Sequence, residues 1–392
     1  MDQLSPEVRR LERRARTWRR ELHANPEVGF QEHRTSALVA GVLARLGMQV
    51  STGIGKTGVV GSLSCGTSSR SIGLRADMDA LPVAEQGTPK WRSTRPHAFH
   101  GCGHDGHTAI LLAAATALSR RRAFDGTIHF IFQPAEEGLG GAQAMIDAGL
   151  FERFPCDSIY AIHNWPGAPL GTIGTRVGAF MAGSAQIDIE IKGKGGHAGL
   201  PQHCVDPIHA ASLLIQALQA LVSRNADPTT PTVLSLTQLH SGDAYNVIPS
   251  SAHIGGGLRY LEAREGDRMM HRLKEIAAGV AGATGAHIDV IVKPMFPVLV
   301  NDPACTHRSL EVARALVGAT NVDGELGPLM GSDDFAYLLQ STPGCYLLLG
   351  SGDHEHTHMP HDPCYDFNDR LLPIGAEYWV RLAEALLEAA AN

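Results

Sequence analysis

The 392-residue chain has no apolar run approaching the roughly 20 residues that cross a bilayer, so a helical membrane span is excluded. It also lacks the pattern of a secretory signal, because Arg9, Arg10, Arg13 and Arg14 are not followed by an apolar stretch. Those arginines suit a mitochondrial presequence, but Glu7, Glu12 and Glu21 count against one. Positive charge is not in excess: 33 Lys and Arg stand against 40 Asp and Glu, a net charge of −7. Nothing electrostatic therefore points to nucleic acid as a partner. No CxxC pair occurs and the seven cysteines are odd in number, which argues against a disulfide framework. Reduced thiols and a cytoplasmic location are expected. Internal repeats and low-complexity segments are absent.

What is present is the composition of a packed protein, 44% hydrophobic and 19% charged. The length exceeds one ordinary core and predicts two domains. Near the N-terminus Val8, Leu11, Ala15, Trp18 and Leu22 recur at helical steps and define one buried face. Over residues 30–180, short β-branched runs (58–63, 71–76, 127–133, 158–163) alternate with helical stretches (35–46, 107–120, 142–148). That alternation predicts an α/β fold with a mostly parallel sheet. From Gly183 the texture changes, with Ile187, Ile189 and Ile191 alternating against polar neighbours as in a sheet with one wet face. Strands at 185–192, 232–239, 252–260 and 286–293 and helices at 207–223 and 265–281 follow the ferredoxin-like order β-α-β-β-α-β. Helix–strand alternation then resumes and ends in a helix over 369–390. The expected architecture is a discontinuous catalytic domain (1–182 and 295–392) with an inserted ferredoxin-like α+β domain (183–294).

The densest chemistry is His100-Gly-Cys102-Gly-His104-Asp105-Gly-His107. Four metal-competent side chains spaced by glycine can converge, since glycine lets the backbone bend sharply. The same residues also read as a helix cap with Asp105 at the N-cap. An apolar strand next runs into Glu136 and Glu137, adjacent like charges that a cation would hold, or that would otherwise form a solvated acidic loop. A third strand leads to His163, aimed at the same crevice beyond the strand ends. Asp77 and Asp79 close a further strand as metal ligands, partners that orient a ligand histidine, or partners of Arg75, the orienting role being favoured. In the run His354-Glu-His356-Thr-His358-Met-Pro-His361, spacing does not single out one histidine. In the insert, the glycine loop 193–199 presents His197, while Asn246 and Arg259 are of the kind that anchor a carboxylate. A plain turn and a surface arginine are the bland readings of these.

Together these segments resemble one family, the dinuclear-metal aminoacylases and carboxypeptidases, in the branch of hippurate hydrolase and auxin-amino-acid hydrolase. The matching motifs are RRELHANPEVGFQEHRT (19–35), RADMDALP (75–82), HGCGHDGHTA (100–109), FQPAEEG (132–138), HNWPG (163–167), GKGGHAGLP (193–201), AYNVIPSSA (244–252), GSDDFA (331–336) and HDPCYDFND (361–369). The resemblance implies a zinc-exopeptidase type of catalytic domain and a dimerisation (lid) role for the insert. It also implies two divalent metals, zinc, manganese, nickel or cobalt, on Cys102, His104, Glu137, His163 and His361. His361 is chosen because it opens the last motif. Glu136 is implied as general base and His197, often lent by a dimer partner, as oxyanion stabiliser. One departure is GSDDFA, where Asp333 replaces the usual glutamate.

The expected activity is metal-dependent hydrolysis of N-acyl amino acids (hippurate-like, N-acetyl or similar). The alternatives are a carboxypeptidase or dipeptidase with the same site, and an inactive metal- or peptide-binding protein. The last would have lost Glu136 or a ligand, and none is missing. A homodimer or dimer of dimers is expected, with no membrane partner.

Overall fold

A computed structural model describes residues 3–388 and divides them into two compact units. The larger comprises residues 3–178, 300–327 and 334–388; the smaller comprises Ala179–Leu299 and Pro328–Asp333. Among the described residues no helix is long and apolar enough to cross a membrane.

The larger unit is built on one mixed sheet of eight strands. Their order is Gln49–Ile54, Gly58–Cys65, Gly126–Gln133, Ser71–Asp77, Ser158–Pro169, Gly344–Gly352, Ile173–Gly174 and Val322–Asp323. The four central strands, Gly126–Gln133 to Gly344–Gly352, are mutually parallel, as the helix–strand alternation predicts. Antiparallel pairing enters on both flanks. The hairpin strand Gln49–Ile54 carries no readable sequence period because it is mostly polar and half-exposed.

Three helices pack together beside this sheet, two of them, His104–Arg121 and Leu372–Leu386, against strand Ser71–Asp77. Pro6–Ala24 starts on a Ser5 cap followed by proline, and its predicted face of Val8, Leu11, Ala15, Trp18 and Leu22 is buried. Leu372–Leu386 brings Trp379 and Tyr378 into the same core. Between them lies His104–Arg121, buried without interruption from His104 to Leu118. A helix apolar on all sides belongs in the middle of a core, and here it delivers its polar first turn to the edge of the sheet.

The smaller unit carries the predicted ferredoxin-like order. Strands Gly183–Lys192, Thr232–His240, Ser251–Tyr260 and His287–Phe296 form an antiparallel sheet with Gly183–Lys192 between Ser251–Tyr260 and His287–Phe296. Ile187, Ile189 and Ile191 are fully buried in a core shared with helices Pro207–Ala220 and Ala263–Thr284. The helix expected over 207–223 ends its α-helical part at Ala220 and continues as a π-helical turn, Leu221–Asn225. The predicted final helix reaches beyond the described residues, and its observed part is a single 3-10 turn, Asp369–Leu371, followed by Leu372–Leu386.

Candidate active site

Strands Ser71–Asp77 and Gly126–Gln133 finish level, with Asp77 opposite Gln133. The loops leaving these two strands therefore meet at one edge of the sheet, bringing Asp79 from the first and Glu136 and Glu137 from the second. The helix N-terminus arrives beside them. Its N-cap is Gly103, not Asp105, and the helix begins at His104. Gly103 sits at φ 93°, and a Cβ there would lie 2.2 Å from Asn164 Oδ1 and 2.7 Å from the Tyr365 hydroxyl, so glycine is required. His163 lies within its strand, which runs on to Pro169 instead of ending at the histidine as the sequence pattern predicts. His361 comes from the last long loop at φ 73°, its N–H donating to the Gly101 carbonyl at 2.8 Å.

The structure brings all five expected ligands together in the larger unit. Donor atoms of Cys102, His104 and His163 lie within 4.8 Å of one another, as do those of Cys102, Glu137 and His361 and those of His104, Glu136 and Glu137. His163 Nε2 is 3.4 Å from the Cys102 sulfur. His163 Nδ1 bonds the Asn164 carbonyl at 2.8 Å, and a carbonyl only accepts, so the proton is on Nδ1 and the lone pair of Nε2 faces the sulfur. His104 Nδ1 is 3.2 Å from Asp79 Oδ1, which directs its Nε2 inward in the same way. Asp79 Oδ2 also accepts the Glu137 N–H at 3.0 Å, so one carboxylate orients two candidate ligands.

His104 Nε2 and Glu137 Oε1 are buried with no hydrogen-bond partner. His361 Nε2 does stand 3.2 Å from Glu137 Oε1, but the pair is not aligned as a hydrogen bond. Buried polar atoms left in this state are costly. These two face a thiol and further imidazoles, a donor set suited to divalent cations. Burial pushes the Cys102 thiol up, and Glu137 adds to it, while burial and then His107 hold His163 well down. His361 is carried up to about 10 by its contacts with Cys102 and then Glu137. A cation here supplies the positive charge that a buried thiolate and a neighbouring carboxylate need.

The neighbouring group Asp77, His104 and His107 is differently employed. His107 spends both nitrogens, Nδ1 on Asp77 Oδ1 at 2.6 Å and Nε2 on Asn164 Oδ1 at 2.7 Å. Asp77 Oδ2 accepts from Arg75 at 2.7 Å. Of the loop histidines, His356 turns to Asp353 and His358 to Asp362, which leaves His361 as the one that reaches the thiol.

Glu136 is buried directly after Ala135, a non-glycine residue at φ 53°. Such backbone is strained and persists only when its surroundings over-determine it. The surroundings include Glu32, a buried carboxylate that accepts the Ala135 N–H at 2.8 Å and the Thr57 hydroxyl at 2.5 Å. Burial raises the Glu32 pKa. Glu32 lies in the segment 19–35 that resembles the family, but nothing in the sequence alone gives it a role.

A second buried cluster lies behind the helix start. His23 Nδ1 meets Asp105 Oδ2 at 2.8 Å and its Nε2 meets Glu85 at 3.3 Å. Burial works to lower the His23 pKa, yet Asp105 and then Glu85 carry it up to about 9. Protonated His23 therefore stabilises the fold fully below its unfolded pKa of about 6.5, and this contribution fades as pH rises through about 9. Chemical denaturation of His23→Gln should show a deficit that is largest near pH 6 and shrinks towards pH 10. A deficit constant across that range would refute the charge assignment.

In the smaller unit, Gly199 N–H donates to His197 Nδ1 at 3.0 Å. The neutral ring thus carries its proton on Nε2, and the residue is exposed. Asn246 is exposed, and half-buried Arg259 donates to Ser332 Oγ at 2.9 Å.

The profile of the family described as peptidase family M20/M25/M40 matches residues 73–385, and the chain belongs to that family. Hippurate hydrolase of Campylobacter jejuni is 41% identical over 380 residues, covering 97% of this chain and 98% of the relative. IAA-amino acid hydrolase ILR1-like 4 of Arabidopsis thaliana is 39% identical over 376 residues, covering 94% of this chain and 84% of the relative. Among solved structures, the YXEP protein of Bacillus subtilis, described as a dinuclear metal binding peptidase, is 32% identical. It superposes with a TM-score of 0.83 over 97% of this chain and 99% of its own.

Proposed function

We propose that this chain is a two-metal amidohydrolase that cleaves the amide bond of N-acyl amino acids, giving a carboxylic acid and a free amino acid. The observation that carries the reading is the convergence of Cys102, His104, Glu137, His163 and His361, two of whose donor atoms, His104 Nε2 and Glu137 Oε1, are buried without a hydrogen-bond partner, with Glu136 alongside. These residues would hold two divalent cations, which would supply polarisation of the scissile carbonyl and a lowered pKa of water. Glu136 takes the water's proton and passes it to the leaving nitrogen. The family resemblance assigns His197, lent by a dimer partner, to the developing oxyanion, and the chemistry of Asn246 and Arg259 assigns them to the substrate carboxylate. The thiolate of Cys102 favours zinc, nickel or cobalt over magnesium and calcium.

The test is a hydrolysis panel of N-benzoyl, N-acetyl and indolylacetyl amino acids and dipeptides, run with chelator and after return of zinc, manganese, cobalt or nickel. Turnover of the acyl amino acids is expected. Turnover of dipeptides alone would make the enzyme a dipeptidase, and inertness towards every compound would end the reading. Cys102→Ser is expected to keep the fold but retain less metal after dialysis. Wild-type metal content in that variant would remove Cys102 from the ligand set.

The reading extends to assembly and location. The smaller unit exposes Ile208 and Leu239, which line one groove with Ala211 and Ile215, an apolar surface that a second copy would cover in a homodimer or dimer of dimers. Light scattering that finds an active monomer at working concentration would exclude this. All seven cysteines are unpaired, in keeping with a reducing, cytoplasmic setting.

A further inference from the structure

Strand Ser71–Asp77 is buried at every position, yet it carries Arg75. A guanidinium in such a place must have its donors met, and here they are met by a particular set of groups. Arg75 Nε donates to Gln133 Oε1 at 2.8 Å, Nη1 to Asp77 Oδ2 at 2.7 Å and Nη2 to Asp334 Oδ1 at 3.1 Å. Asp334 is fully buried as well. Its Oδ1 also accepts the Gln133 side-chain amide at 2.7 Å, and its Oδ2 accepts the Ala142 N–H at 2.8 Å.

Gln133 ends the strand before the loop that carries Glu136, and Ala142 lies in the first turn of the helix Gly141–Asp147 after it. A single carboxylate, held by Arg75, therefore clamps that loop at both ends, while Ala135 within it is held at φ 53°. The backbone N–H of Asp334 is directed at Glu136 Oε1, 3.4 Å away. The other arm of Arg75 leads through Asp77 and His107 to Asn164, beside His163.

We propose that Arg75 is a positioning residue which, through Asp334, sets the loop and the rotamer of Glu136 for proton transfer. The inference rests on the reading of Glu136 as the general base. Arg75 itself is shut away from the crevice and touches none of the reacting atoms. Its forked geometry matters here, because one planar group must hold two carboxylates and an amide together, which an ammonium cannot reproduce.

The test uses the metal-loaded full chain with Arg75→Lys, which keeps the charge and loses the fork. It uses Asp334→Asn in parallel, which keeps the shape and the Arg75–Asp77 pair should the lysine variant fail to fold. Each variant is expected to bind metal at the wild-type level with little change in KM, while kcat falls by roughly 10²-fold, the scale of a small misplacement. Crystal structures of the variants should show Glu136 displaced from the residue 334 nitrogen, a readout that needs no substrate. A kcat within about twofold of wild type, or an activity loss in proportion to lost metal, would overturn the proposal. Displacement of Glu136 in a protein inert to every N-acyl amino acid would keep the positioning role and remove the assigned reaction.

Discussion

Glu136→Gln is expected to fold, bind metal as the wild type does, and lose about 10²- to 10⁴-fold of kcat, the range for removing a positioned general base. Glutamine keeps the volume and can still accept the Asp334 N–H that lies 3.4 Å from Glu136 Oε1. Only the ability to take up and hand on a proton is lost. KM should change little, because the group acts in the transition state rather than in holding the ground state. Steady-state kinetics with metal analysis on the same sample decide the matter. A variant that hydrolyses at near wild-type rate removes Glu136 from the mechanism.

Chelation is expected to have a larger effect still. Complete removal of metal should abolish turnover and lower thermal stability, and both should return on adding zinc, cobalt, nickel or manganese. The stability change comes from linkage: cations present at about 1,000 times their dissociation constant contribute roughly 4 kcal/mol per site. They also relieve the two buried orphan atoms, His104 Nε2 and Glu137 Oε1. Calorimetry of the chelated and reloaded protein measures this, and an unchanged melting temperature with full activity in chelator would dismiss the metal centre.

Much of this site is legible in the sequence because several of its donors sit on apolar strands or just beyond their ends. Glu136 and Glu137 come after a buried strand, and His163 and Asp77 lie on others, so one crevice is the natural meeting point. His361 is a harder choice. Four histidines of the same chemistry lie within eight residues, and only the family resemblance singles it out. The structure gives the physical reason, since His356 and His358 are turned to nearby aspartates. The supporting pairs are illegible because their partners are far apart in the chain: His23 and Asp105 are 82 residues apart, Arg75 and Asp334 259. The sequence pairs Arg75 only with its neighbours Asp77 and Asp79; its burial at the middle of a strand is what calls for a further, distant carboxylate. The central sheet is readable from its β-branched runs, whereas its short edge strands, Ile173–Gly174 and Val322–Asp323, hold too few residues to show a period.

The loop that brings in His361, left-handed at that residue alone, also orders events in time. During synthesis, the donors at 102, 104, 137 and 163 leave the ribosome long before the fifth, and so do the groups that orient them. A nascent chain halted before the last loop would hold a cation more weakly and would lack the imidazole that faces both the thiol and Glu137. On the proposed ligand set, capture of a full metal complement waits for the segment that carries residue 361.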